Sequence, residues 1–192
     1  MNDFWVFGYG SLMWRPGFAF EEAVPAQLVG AHRALCVYSI VHRGSRRHPG
    51  LVLGLDAGGT CDGLAFRVRR PHARHTRQYL RAREQVTRVY REAMRPVRLL
   101  DRNARAVRAL CFLIDQCHPQ YAGRLPVAEQ AYLIRRGRGM SGPNREYVAN
   151  TVRHLSGMGI EEPRLNRLMP LLGIRPAELQ ALPCEREPKP ET

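Results

Sequence analysis

Glu84 is the sole acid in "QYLRAREQVTRVY", a run that also holds Arg81, Arg83 and Arg88 and is preceded by Arg77. It stands where helix-favouring residues give way to β-prone ones. Acids in such surroundings ordinarily make surface salt bridges of small worth. A carboxylate held at the end of an element is also where a general base is positioned rigidly and reached from a cleft. Partial burial would raise its proton affinity toward working pH, and close arginines would oppose that rise. On the residues alone both chemistries are open. Glu92, on the strand expected next, is a neighbouring acid expected to be dispensable for turnover.

A second candidate is the corner in "FWVFGYGSLMW", Phe4 to Trp14. Gly8 and Gly10 permit backbone angles that Tyr9 or Ser11 would resist, and they let another molecule approach the main chain closely. Successive N–H groups in such a turn can point into one concavity that suits a carboxylate or a phosphate. A glycine-rich turn joining a core strand to a loop is the plainer alternative. Two phosphate loops are excluded: no Lys follows the glycines, and Met13 stands where the dinucleotide fingerprint needs its third Gly. "GRGMSG", Gly137 to Gly142, matches that fingerprint but follows a helix-like segment, so an interhelical loop is expected. His72 and His75 lack a third ligand at suitable spacing and sit among arginines that repel a cation. No metal and no cofactor are expected. Ser11 has no G-x-S-x-G frame, so a covalent serine nucleophile has no support.

These residues need elements to hold them. Phe4 to Phe7 is aromatic and β-branched without polar alternation, which predicts a strand covered on both faces. A β-prone run from Leu35 to Val41 enters the polar loop "HRGSRRHPG". Leu51 to Leu55 and Leu64 to Val68 read as two short strands around "DAGGTCDG", a hairpin with a loose turn. Pro71 marks a first helical position, and that helix fades near Glu84 to Thr87. Strands follow over Val89 to Leu99 and Val107 to Ile114, then helices opening at Pro126 and Pro143 and a third in "PRLNRLMPLLG", which Pro170 could kink. Strands first and helices last, without βαβ alternation, predict an α+β fold on a mostly antiparallel, barrel-like sheet.

With 192 residues, 44% of them hydrophobic, a single globular domain over 1–182 is expected, and the charged, proline-rich 183–192 is expected to be a disordered tail. No 18-residue apolar run exists and Asp3 stands where a signal peptide would be positive, so no membrane span and a cytoplasmic location are expected. Five cysteines without a C-x-x-C pair fit a reducing compartment and packing roles. The net charge of +13 raises the question of a nucleic-acid partner. Of the 30 basic residues only Lys189 is a lysine, and the arginines are scattered from Arg15 to Arg186 without a recognition motif. No nucleic-acid partner is expected, while an acidic small substrate would profit from the same field. Oligomeric state is not legible.

"FGYGSLMW", "HRG" at 42 to 44, "YLRARE" with "TRVY" after it, and "GPNREYV" at 142 to 148 together resemble the ChaC-type γ-glutamylcyclotransferases, in order and spacing, over roughly residues 4 to 172. The resemblance implies a γ-glutamylcyclotransferase-like fold, a small mixed β-barrel flanked by helices. It also implies a carbon–nitrogen lyase of the amidine-lyase class that cleaves glutathione to 5-oxoproline and cysteinylglycine without a cofactor. By the same resemblance Glu84 is the catalytic base and Tyr9, Gly10, Ser11 and Leu12 grip the γ-glutamyl group. The resemblance also makes Tyr147 a hydroxyl lining the site, with a helix aromatic packed in the core as the alternative; Arg43, one arginine among 29, is read on its charge alone as attracting a substrate carboxylate. Many family members carry an aspartate where Arg81 stands and a lysine-glycine-glycine where Gln85, Val86 and Thr87 stand. The alternatives are the same chemistry on other γ-glutamyl amino acids or amines, and a basic binding protein without turnover on the same fold.

Overall fold

The structure, a computed structural model, describes residues 3–180; the expected C-terminal tail lies outside the described residues. Five strands form a closed barrel in the order β1 (Phe4–Gly8), β3 (Gly50–Val68), β2 (Glu22–Ser39), β4 (Tyr90–Leu99) and β5 (Ala106–Ile114). β1 runs antiparallel to β3, with Phe4 opposite Val68 and Gly8 opposite Leu64, and parallel to β5, with Trp5 opposite Ala109. The β2–β4 and β4–β5 pairings are antiparallel. With helices in addition, the chain is α+β and its barrel is mixed, as expected.

Among the described residues the chain divides into two compact units, 3–33 with 55–115, and 34–54 with 116–180. The first holds β1, most of β3, β4, β5 and the helix α1 (Ala73–Glu84). Trp5, Val6 and Phe7 are buried, which is what a strand without polar alternation requires. A 3₁₀ turn, Ser11–Met13, follows β1 and sends Leu12 into the cluster of Val6, Phe66, Leu80, Leu110 and Phe112. Leu80 places α1 on the same cluster. Each such side chain contributes roughly 1.5–3 kcal/mol on full burial, so the turn and the helix share one anchor.

The residues expected as two strands around "DAGGTCDG" form one strand, β3, and β2 begins at Glu22, well before the β-prone run. The glycines explain the difference. Gly58 and Gly59 take φ of +84° and +72°, conformations that bend a strand without ending it.

The second unit carries α2 (Val127–Arg136), α3 (Asn144–Gly157), α4 (Pro163–Asn166), α5 (Leu168–Leu171) and α6 (Pro176–Gln180). The expected interhelical loop "GRGMSG" contains a two-stranded ribbon, β6 (Arg138–Gly139) against β7 (Gly142–Pro143). The last expected helix is split at Arg167 into α4 and α5, with Pro170 inside α5.

Candidate active site

Tyr9 and Leu12 are buried, and Ser11 is partly exposed at the start of the 3₁₀ turn. The turn is closed by Met13 N–H donating to Gly10 O at 2.9 Å and Arg15 N–H donating to Ser11 O at 2.8 Å. Gly8 is needed for closeness rather than for a left-handed angle: an added Cβ would lie 3.1 Å from the Phe66 ring and 3.2 Å from Leu12 Cβ. Arg33, 3% exposed, donates from Nε to Tyr9 O and from Nη2 to Asp62 O, both at 2.5 Å. A buried cation thereby fixes the carbonyl that leads into the corner.

Glu84 is the last residue of α1, one turn after the buried Leu80 and two after the buried Thr76. That spacing puts it on the helix face that meets the core. Its side chain is only 17% exposed. Burial pushes its carboxyl above the usual carboxylate range, and the Arg83 guanidinium, with Nε 3.3 Å from Oε1, opposes the rise. Arg83 turns its other nitrogens to the corner. Nη2 donates to Ser11 Oγ at 2.9 Å, and Nη1 donates to Arg15 O at 2.5 Å and to Tyr79 Oη at 3.1 Å. Tyr79 completes the attachment, because its hydroxyl lies where a Cβ on Gly17 would be, 2.0 Å away, and Gly17 has φ of +70°. Ser11 and Glu84 are thus joined through one side chain. Glu92 is occupied differently, since its carboxylate accepts from Arg77 and Arg81 on α1. Burial pushes that carboxyl up, but the hydrogen bonds and charges of the two arginines outweigh it and hold it below the usual range.

In the second unit, the Arg43 guanidinium lies 5.5 Å from the centre of the Tyr147 ring, within cation–π range. The Tyr147 hydroxyl accepts from Leu53 N–H at 3.1 Å. Asn144, with no exposed surface, accepts from Leu51 N–H through Oδ1 and donates through Nδ2 to Leu51 O, each at 2.7 Å. Gly44 and Gly137 are packed against this frame: a Cβ on Gly44 would lie 2.1 Å from Gly50 N, and one on Gly137 2.7 Å from Arg43 O. "HRG" and "GPNREYV" therefore share an interlocked backbone frame.

A family model described as ChaC-like protein matches residues 4–173. This chain belongs to the ChaC-like family. It is 34% identical over 165 residues to the glutathione-specific γ-glutamylcyclotransferase of Escherichia coli (strain K12), covering 86% of this chain and 71% of that protein. It is 30% identical over 189 residues to the glutathione-specific γ-glutamylcyclotransferase 1 of Mus musculus, covering 96% and 82%. To γ-glutamylcyclotransferase 2-3 of Arabidopsis thaliana it is 30% identical over 173 residues, covering 85% of each. The crystal structure of a selenomethionine-labelled γ-glutamyl cyclotransferase specific to glutathione, from yeast, superposes with a TM-score of 0.79 at 22% identity, covering 90% of this chain and 96% of that one. That likeness concerns the fold, and it bears out the expected γ-glutamylcyclotransferase-like architecture.

Three polar residues of this ChaC-like chain escaped the sequence reading: Arg33, Arg83 and Asn144. Arg83 had a usable signal, its i,i+4 spacing from Tyr79, which puts both on one helix face. Arg33 had none among so many arginines. Asn144 reads as an ordinary residue after a helix-opening proline.

Proposed function

We propose that this protein is a γ-glutamylcyclotransferase that cleaves glutathione to 5-oxoproline and cysteinylglycine in the cytoplasm, with Glu84 as general base. The substrate's own α-amine nitrogen attacks its γ-carbonyl carbon. A ring C–N bond forms, the carbonyl π electrons move to oxygen, and collapse of that oxyanion expels the cysteinyl nitrogen. Glu84 takes the proton from the attacking nitrogen and returns it to the departing one, so neither water nor an external nucleophile is consumed. Residues Tyr9, Gly10, Ser11 and Leu12 hold the γ-glutamyl arm in the folded pose from which an intramolecular attack gains its advantage. The main-chain N–H groups of that corner also stabilise the oxyanion. Tyr147 is assigned to the substrate on the family resemblance, and Arg43 on its charge.

The observation that carries this reading is a largely buried carboxyl at the end of α1, made more basic by burial and joined through Arg83 to the Tyr9–Leu12 corner, in a ChaC-like chain. Two relatives named as glutathione-specific support the substrate. Arg81 and the Gln85–Thr87 segment, where many family members differ, favour a second reading in which other γ-glutamyl amino acids are also cyclised. The test is incubation of the purified protein with glutathione and detection of 5-oxoproline and cysteinylglycine by mass spectrometry. Absence of 5-oxoproline from glutathione, with its release from γ-glutamyl-alanine, would move the protein to the second reading. Absence from both would overturn the enzyme.

A further inference from the structure

Arg83 makes more of its contacts to Ser11, to the Arg15 and Pro16 carbonyls that follow the corner and to Tyr79 than to its neighbouring acid. Its side chain is 23% exposed, and its donors are divided between two tasks. Nε faces Glu84 Oε1 at 3.3 Å, while Nη1 and Nη2 reach Arg15 O, Tyr79 Oη and Ser11 Oγ. A guanidinium is planar and carries its donors in a fixed fork, so the two groups of partners cannot move independently while all are bonded. An ammonium in the same place could serve only one side at a time as a compact charge. Ser11 Oγ, already accepting from Nη2, has its own hydrogen left to donate.

We infer that Arg83 is a positioning residue that locks the Tyr9–Leu12 corner to Glu84. The inference rests on the cyclotransferase reading. It divides into a mechanical part, carried by Nη2 on Ser11 and by Nη1 on the Arg15 and Pro16 carbonyls just after the corner, and an electrostatic part, carried by the charge beside Glu84. Among the described residues Arg83 is the charged group that acts on Glu84; the groups sharing its guanidinium are the Tyr79 phenol on α1 and, from the corner, the Ser11 hydroxyl and the Arg15 and Pro16 carbonyls. With Arg83 neutralised, burial acts on Glu84 unopposed, and a larger fraction of the base is protonated at neutral pH.

The experiment compares the wild-type full chain with Arg83→Gln and Arg83→Lys in two ways: the pH profile of kcat/KM with glutathione, and a ¹³C NMR titration of the Glu84 carboxyl. Arg83→Gln should lower kcat at pH 7 by about tenfold or more, with the acid limb displaced to higher pH and Glu84 titrating later. Arg83→Lys should keep the limb near wild type yet recover turnover only partly, because the charge returns without the fork. Should Arg83→Gln fail to fold, Arg83→Lys and Ser11→Ala decide the matter. Ser11→Ala should raise KM without moving the limb, and wild-type turnover in both variants would overturn the lock. A folded Arg83→Gln with turnover within about threefold and an unmoved Glu84 titration would overturn the inference outright. A wild-type protein inert toward γ-glutamyl substrates would instead defeat the functional reading, and the NMR arm would still decide the coupling between Arg83 and Glu84.

Discussion

Replacing Asn144 with Ala should be among the most damaging polar substitutions in this chain. Its side chain has no exposed surface and makes two hydrogen bonds of 2.7 Å to the amide and carbonyl of Leu51, itself fully buried. Alanine leaves both main-chain groups without these partners where water has no ready access. Each buried group left unpaired costs about 1–3 kcal/mol, so the loss of two should be about 2–6 kcal/mol. For a chain of this size, at about 2–4 °C per kcal/mol, that is a fall in Tm of about 4–24 °C. Asn144→Asp tests the geometry further. An ionised carboxylate can accept from Leu51 N–H but cannot donate to Leu51 O, so the folded state favours the protonated acid. Its folded pKa is then raised, its stability is greatest below the ordinary carboxyl value and is lost as pH climbs through the folded one. The assay is thermal and urea unfolding at pH 4 and pH 7.5. Asn150→Ala serves as the control, since Asn150 is exposed and pairs with Arg153 at 2.7 Å, and it should change stability by no more than about 0.5 kcal/mol. An Asn144→Ala protein within about 1 kcal/mol of wild type would refute the structural role given to the "GPN" segment.

Glu84→Gln should reduce kcat by roughly 10²- to 10⁴-fold with glutathione binding largely kept. Because burial raises this carboxyl, its ionisation weakens the fold as pH rises above the ordinary value, so Glu84→Gln should melt no lower than wild type at pH 8; a clear drop there would contradict the burial argument. Glu92→Gln should leave turnover within a few-fold but cost about 1–2 kcal/mol at pH 7, a figure kept small because Arg77 and Arg81 are 46% and 52% exposed. Glu92 is held below its ordinary value, so that difference should shrink as pH falls through the folded value, as melting curves from pH 7 to pH 3 would reveal. Glutathione should be preferred over γ-glutamyl-alanine in kcat/KM, and equal use of the two would favour the broader substrate class.

What was legible in the sequence follows physical lines. Uninterrupted apolar and aromatic residues announce β1, and prolines at helix starts announce α2 and α3, because those signals are local. β3 is one strand where two are expected, because positive-φ glycines inside a strand and glycines in a turn look alike until the partner strands are known. Glu84 stood out as the sole acid of its run, but its burial depends on Leu80 and Thr76 meeting a core assembled from distant strands. Arg83 could not be separated from the other arginines by type. Beyond its i,i+4 spacing from Tyr79, what distinguishes it is a set of partners on Ser11, Arg15 and Pro16, far away in the chain, which no spacing rule reports.

The parallel pairing of β1 with β5 has a consequence for how the chain reaches its working state. Trp5 lies opposite Ala109 and Val6 opposite Leu110, so the first strand of the barrel awaits the barrel's last strand. About a hundred residues, at about 5–20 residues per second, separate the two on the ribosome. Until β3 is made that apolar strand has neither ladder, and until β5 is made one of its edges stays open, a state prone to association with other nascent chains. Loop closure over such a distance is also entropically slow, so barrel closure should govern the refolding rate. The Tyr9–Leu12 corner, attached directly to the end of β1, would then mature at the close of folding, and Trp5, 5% exposed in the finished barrel, is a natural fluorescent reporter of that moment.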